Sequence, residues 1–447
     1  MPNEQHLFWR RYLPSTNPSR TTSAVPSRAG SQLDLSDAEK LKHLGGINGR
    51  LPQHDDPSHQ VPLRERIKHF TWAWFTLPMS TGGLALLLHD TPNRFPGLET
   101  IGKVVYIFDL VIFFCLCAMM ATRFIMNPGV LKKSLMHPTE SLFFATVFLA
   151  LVNVIGGMQI YGGPTTGDWL VVVVRVLFWM YVASTFITAV LQYMVLFSAE
   201  RLTIQSMTPG WIFPIFPIML SGTLASIIAV DQPVVQREAI IFAGITFQGL
   251  GWMVASMVYA IYMHRLMQFG LPAPNLRPGM FIAVGPPAFT GLALIGLGSA
   301  LQEDMAYFKA RSGMIMVLQT MANFIAIFLW SLSFWFFCIA TLSVLRGVKN
   351  MRFHLTWWAF VFPNIGFTIA TIRIGEQLES EGILWVASIM TVLLVAMWIF
   401  VFVAHVRAVM LRQIMMPGVD EDKEDYKAND RKNNIPVPPD HQRTTMR

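Results

Sequence analysis

Apolar stretches long enough to cross a bilayer, about 20 residues each, recur along the chain at 70–88, 103–122, 140–161, 169–197, 209–230, 239–263, 280–300, 314–345, 355–373 and 383–410. Polar and charged residues collect in the short connections and in two long terminal segments. The pattern predicts an all-α integral membrane protein with ten transmembrane helices. It predicts a membrane domain at 67–412 between disordered cytoplasmic tails at 1–66 and 413–447, the first rich in Ser, Pro, Arg and His and lacking the charged-then-apolar order of a cleaved signal.

Odd and even spans differ in kind. "FTLPMSTGGLALLL", "NVIGGMQIYGG", "PGWIFPIFPIMLSGTLAS", "VGPPAFTGLALIGLGSA" and "FVFPNIGFTIATIRIG" fall in the odd spans, and each sets Pro or Gly beside Ser, Thr, Asn or Gln. Spans 4, 8 and 10 hold neither Gly nor Pro, and span 2 runs uninterrupted from Lys103 to Asn127. Span 6 departs from the rule with Gly244, Gly249 and Gly251, which suit close helix packing. Helix-weakening residues at membrane depth belong in protein interiors or wet cavities. The odd helices are therefore expected to be kinked around a central pore and the even ones to face lipid, as five helical hairpins. The expected breaks are Pro78, Gly82, Pro217, Gly222, Pro287, Gly291, Pro363 and Gly366.

Composition agrees with a membrane protein: 53% hydrophobic and only 14% charged residues, with a mean hydropathy of +0.45. The net charge of +7 does not point to nucleic acid, because no basic run is interleaved with aromatics. It reports topology instead. Loops after even spans carry nine Lys and Arg against six after odd spans, which places both termini in the cytoplasm. Cys115, Cys117 and Cys338 lie in apolar segments and read as small buried hydrophobes. The chain has no phosphate-binding Walker loop, no H-E-x-x-H and no G-x-S-x-G, so enzyme chemistry, a metal or another cofactor is not expected. "HPTES" at 137–141 reads as a helix cap supplied by Thr139 or Glu140.

"HFTWAWFTLPMSTGGLALLL", "HPTESLFFATVFL", "MTPGWIFPIFPIMLSGTLAS" and "WWAFVFPNIGFTIATIRIGE" resemble the fungal malic acid transporters. These belong to the tellurite-resistance and dicarboxylate transporter family, with plant slow anion channels and fungal sulfite efflux pumps as relatives. The resemblance covers residues 67–412 and implies five hairpins around a pore, commonly in a homotrimer. It also implies transport of C4-dicarboxylates across the plasma membrane, malate above all, with succinate and fumarate beside it. The alternative from the same group is a sulfite or small-anion exporter or channel.

Candidate site residues follow from the breaks and the intramembrane charges. Thr76, Ser80, Thr81, Gln159, Ser221, Thr223, Thr290, Asn364 and Thr368 are pore-lining candidates, although Ser and Thr in spanning helices also bond their own preceding turn. Phe362 and Arg373, with Gly366 between them, fall near one helix face. Arg373 could hold a carboxylate through two parallel hydrogen bonds, or pair with Glu376 at the interface. Asp109 and Arg175 lie at similar depth, which suggests an ion pair, a substrate role for Arg175, or a snorkelling arginine. Anion channels of this group close their pore with a phenylalanine on the ninth helix, and Phe362 matches that place. Beside Pro363 and Gly366 it is either such a gate or a packed core ring.

Overall fold

The structure, a computed structural model, describes residues 63–163, 166–198, 203–311 and 313–415. Apart from 63–66 and 413–415, the expected tails lie outside the described residues. Every regular element among the described residues is helical. We number the principal helices α1 (Thr76–Asp90), α2 (Leu98–Met126), α3 (Ala145–Gly157), α4 (Trp169–Ser198), α5 (Phe216–Ile228), α6 (Val234–Phe269), α7 (Gly285–Ser299), α8 (Met314–Gly347), α9 (Phe362–Gln377) and α10 (Glu381–Met410).

Among the described residues, eight helical segments are long and apolar enough to cross a membrane. The first and fifth expected spans are shorter: α1 has 15 residues, and the apolar helix at the fifth covers Phe216–Asp231. Burial separates the two classes. In the segments that contain α3, α7 and α9, 72%, 89% and 89% of the apolar window is buried, and Thr76 through Leu88 of α1 are all buried. The corresponding share for α2, α4, α6, α8 and α10 is 28–33%, so these helices present apolar side chains outward, as lipid-facing helices do.

The inner helices form a closed ring, with α1 on α3, α3 on α5, α5 on α7, α7 on α9 and α9 back on α1. Each even helix packs against the odd helix before it, so the chain builds five hairpins with the odd arm inside.

The prolines among the expected breaks, Pro78, Pro217, Pro287 and Pro363, fall in the first turns of α1, α5, α7 and α9 rather than at kinks, whereas Gly82, Gly222, Gly291 and Gly366 lie within those helices. Each odd span opens with tight 3-10 turns, at Trp72–Phe75, Glu140–Phe144, Pro209–Ile212, Pro274–Val284 and Leu355–Phe360, and becomes α-helical only afterwards. Pro217 and Pro363 occupy the first turns of α5 and α9, and Pro286 that of α7. There the missing N–H would have had no helical partner and the fixed φ suits the helix. Side chains from neighbouring helices also donate to backbone carbonyls in and beside these starts. Tyr181 of α4 donates to Pro217 O (2.8 Å), Tyr259 of α6 to Ala283 O (2.8 Å), Ser333 of α8 to Val284 O (3.1 Å) and Asn153 of α3 to Met79 O (2.8 Å). Irregular backbone thus survives in hydrocarbon because its polar groups are met by protein.

Three expectations need correction. Cys115 is exposed and Cys117 and Cys338 are half-buried, because they sit on the outward-facing helices α2 and α8. Thr139 makes no side-chain cap and Glu140 does not act as one; His137 Nδ1 accepts the N–H groups of Thr139 and Glu140 instead. The Glu140 carboxylate is turned away into a buried ion pair with Arg123 Nη1 (2.7 Å) and accepts Ser134 Oγ (2.7 Å). Asp109 and Arg175 do not pair. Asp109 is fully buried at the seam of α1 and α3, where a Cβ on Gly82 would lie 2.6 Å from its Oδ2, and it forms no ion pair among the described residues. Arg175 sits half-buried on α4 with no ion pair among the described residues. Equal depth in the bilayer does not bring two residues to the same side of a helix.

Candidate functional site

The residues on one face of α9, Phe362, Ile365, Ile369, Arg373 and Glu376, run along the wall of a cavity of about 320 Å³. All five odd spans contribute to it: Gly83, His89 and Asp90 from the first, Asn153 from the third, Thr223 and Ser226 from the fifth, and Phe289 and Ser299 from the seventh. A second, much smaller space of about 20 Å³ lies at the other end of the same helices. Thr76, Phe143, Phe213, Ile282 and Ala359 line it, again one from each odd span. Phe362 is the one residue that lines both.

Its ring is 1% exposed and is held by two others. Phe289 of α7 stacks on it at 5.2 Å with 28° between the planes, and Phe216 of α5 meets it edge-on at 6.2 Å. Phe216 and Phe289 also touch each other at 5.9 Å, so three helices each send one ring to the axis. Small residues make the space. A Cβ on Gly366 would fall 2.6 Å from the Phe289 ring, and one on Gly285 would fall 2.8 Å from Phe216.

The wide end of the cavity is charged. Arg373 Nη2 meets Asp90 Oδ2 at 3.0 Å and Nη1 meets Glu376 Oε2 at 3.0 Å. His89 lines the same mouth, with its Nδ1 buried and without a hydrogen-bond partner. Between mouth and rings the wall is largely apolar, with Asn153, Thr223, Ser226 and Ser299 as its polar points.

Of the residues anticipated from sequence, Phe362, Arg373 and Thr223 come together on this cavity. The others are placed elsewhere. Thr76 donates to Ala73 O (2.6 Å) and borders the small space; Ser80 donates to Trp358 O (3.4 Å). Thr81 bonds Leu77 O and accepts Trp398 Nε1 of α10, which turns it outward. Gln159 bonds Asp231 (2.5 Å), and Ser221 is buried with its hydroxyl unpaired. Thr290 donates to Pro286 O and accepts from Gln248 of α6 (2.9 Å). Asn364 and Thr368 donate to Phe360 O and Asn364 O in their own preceding turns. Of the expected breaks, Gly222 closes on Gln248 of α6 and Gly291 on Ala326 of α8, both away from the cavity.

Sequence reasoning missed Asp90, His89, Asn153, Phe216 and Phe289. The spacing Gly83–Leu86–Asp90 on α1 was the available signal for Asp90. The doublets Phe216–Pro217 and Phe362–Pro363 were the signal for the second ring.

Comparison with known proteins agrees with this geometry. Residues 69–406 match the voltage-dependent anion channel family. The chain belongs to that family. It is 40% identical to the malic acid transport protein of Schizosaccharomyces pombe over 81% of this chain and 83% of that protein. It is 36% identical to the putative malic acid transport protein of the same yeast, over 81% and 85%. A sulfite efflux pump of Arthroderma otae is 26% identical over 75% and 90%. Members of this family are channels and transporters, not enzymes, and this chain is a multi-pass membrane protein of the anion-transport class.

Proposed function

We propose that this protein carries C4-dicarboxylates, chiefly malate and with it succinate and fumarate, across the plasma membrane through the central pore. The observation that carries the reading is the cavity that all five odd spans line, with Arg373 at one end and Phe362 at the other. Its volume of about 320 Å³ sits at the small end of ligand sites, which run from about 300 to 1,000 Å³, and suits a four-carbon acid. The guanidinium of Arg373 matches a carboxylate through parallel N–H donors. The apolar stretch beyond it offers weak retention, which a transported ion needs in order to leave.

In this reading the chain crosses the membrane ten times with both termini in the cytoplasm, so the Arg373 mouth faces outward; the homotrimer follows from the family resemblance. Phe362 is the gate: its ring fills the waist between the two spaces and excludes water from it. A narrow apolar constriction of that kind closes by size and by dewetting. The likeness to the two fission-yeast proteins favours malate over sulfite as substrate.

The test is uptake of labelled malate into proteoliposomes, with unlabelled malate, succinate, sulfite and chloride as competitors. Saturable malate uptake, blocked by succinate, is expected. Robust sulfite flux without malate uptake would establish the sulfite exporter instead.

A further inference from the structure

Arg373 is not free to receive an anion as it stands. Two of its donors are already committed to fixed carboxylates, Nη2 to Asp90 and Nη1 to Glu376, each at 3.0 Å. The mouth of a cavity suited to anions therefore sets two carboxylates against one guanidinium, with the imidazole of His89 beside them. The two carboxylates and the guanidinium sum to a formal charge of minus one, which opposes an incoming dianion unless one acid gives way.

The two acids differ in what holds them. Glu376 is one turn along α9 from Arg373, and its side chain is 40% exposed, so it can swing into water. Asp90 is the last residue of α1, on the opposite wall, and its side chain is 14% exposed. It reaches across the mouth, and its pair with Arg373 ties the end of α1 to α9 at the outer edge of the ring. A short carboxylate on a helix end, facing the one arginine of the cavity, occupies the position that a substrate carboxylate would take.

We propose that Asp90 determines specificity as a tethered stand-in for the substrate carboxylate. To enter, an anion must exchange with it on Arg373. A carboxylate can replace the Asp90 hydrogen bond in kind, and a dicarboxylate brings a second charge to drive the exchange. Chloride offers neither the planar two-oxygen geometry nor the second charge, and does not displace Asp90. The inference rests on the transport reading above and names what selects the substrate at that same site.

The sign of the effect is the test. If the Asp90–Arg373 pair merely braced the fold, Asp90→Asn would weaken transport. If Asp90 competes with substrate, Asp90→Asn strengthens binding. Concentration dependence of malate flux in proteoliposomes, and the malate-induced rise in melting temperature of the full-length protein in detergent, are measured for the wild type, Asp90→Asn, Asp90→Glu and Glu376→Gln.

The half-saturating malate concentration is expected to fall about 3- to 5-fold in Asp90→Asn, the size of a partly exposed ion pair expressed as a ratio. Chloride should become a competitor in the same variant. Asp90→Glu keeps a tethered carboxylate and should keep the wild-type exclusion of chloride, and Glu376→Gln should lower half-saturation less than Asp90→Asn. An unchanged or raised half-saturation in folded Asp90→Asn overturns the proposal while leaving malate transport standing. Should that variant fail to fold, effective competition by chloride at the wild-type protein overturns it equally. If the wild type carries sulfite and not malate, the substrate reading falls, and the carboxylate stand-in falls with it. A wild type that neither carries nor binds either anion refutes both.

Discussion

The rings of Phe362 and Phe289 stack at 5.2 Å across the axis of the inner helices, and the stack exists because Gly366, one turn beyond Phe362, leaves room for the Phe289 ring. Phe362 is thus one plate of a three-ring cluster, with Phe216 on its edge. Phe362→Ala should keep expression and raise passive anion leak, with selectivity for malate falling. Because Phe289 and Phe216 remain, the double variant Phe362→Ala/Phe289→Ala should leak more than either single one. Proteoliposome flux against a chloride gradient checks both, and unchanged flux in the folded double variant would make these rings packing and nothing more.

Gly366→Ala tests the same cluster from the other side. The added methyl would sit 2.6 Å from the Phe289 ring, inside van der Waals contact, so the ring or α9 must move. Overpacking of this kind costs about 1–3 kcal/mol. The melting temperature should drop, and the protein that folds should leak if Phe362 gates as proposed, since the ring that must shift is the one stacked on it. Restoring the space with Gly366→Ala/Phe289→Leu should recover stability but not tight closure. A stable, non-leaking Gly366→Ala would mean that the rings repack without opening the waist.

Much of this arrangement was legible in the chain, and the reasons for the misses are physical. The inner and outer roles of the helices follow from where Pro and Gly fall, because only backbone surrounded by protein tolerates them in hydrocarbon. The same residues read as kinks, whereas Pro217 and Pro363 start α-helices after 3-10 turns; composition marks a weak point but not its side. Hydroxyls were poor guides to the cavity. Thr76, Thr81, Thr290 and Thr368 all donate to carbonyls three or four residues back, which satisfies them without water. Asp90 and the partner rings of Phe362 were hidden for another reason. Which residues meet across a ring of helices depends on rotation about each axis, and neither depth nor spacing within one helix supplies that.

Arg373→Lys separates a carboxylate fork from a point charge. Lysine keeps the positive charge within reach of Asp90 and Glu376, so folding and surface expression should persist. It lacks the planar pair of N–H donors that lets Arg373 hold a carboxylate while still facing a second acid. Malate transport should fall at least about 10-fold, in line with one charge-assisted hydrogen bond at about 1.5–3 kcal/mol, with a smaller effect on any chloride leak in a Phe362→Ala background. Near-wild-type malate affinity in Arg373→Lys would return the residue to a role in tying α9 to the end of α1.

The buried pair at the opposite end of the bundle should behave as architecture. Arg123 and Glu140 have side chains only 3% exposed each, 2.7 Å apart, and the pair is wired further. Arg123 Nε donates to Lys68 O (2.9 Å), Ser134 donates to the same Glu140 oxygen, and Trp72 Nε1 donates to Ser134 Oγ (2.7 Å). These bonds join the end of α2, the short helix Val130–Met136, the 3-10 turn that leads into α3 and the one that leads into α1. Removing one member strands a charge among apolar groups, which costs about 3–5 kcal/mol. Glu140→Ala or Arg123→Ala should therefore reduce folded yield sharply, while Glu140→Gln, which keeps acceptors for Ser134 and Arg123, should fall in between. Asp109 offers the contrast. Its carboxylate faces no cation, so Asp109→Asn should fold at least as well as the wild type, and charge reversal of Asp109 together with Arg175 should rescue nothing. Loss of folding in Asp109→Asn, or rescue by the double reversal, would mean that Asp109 pairs with a cation in the membrane after all; thermal unfolding of the purified variants decides it.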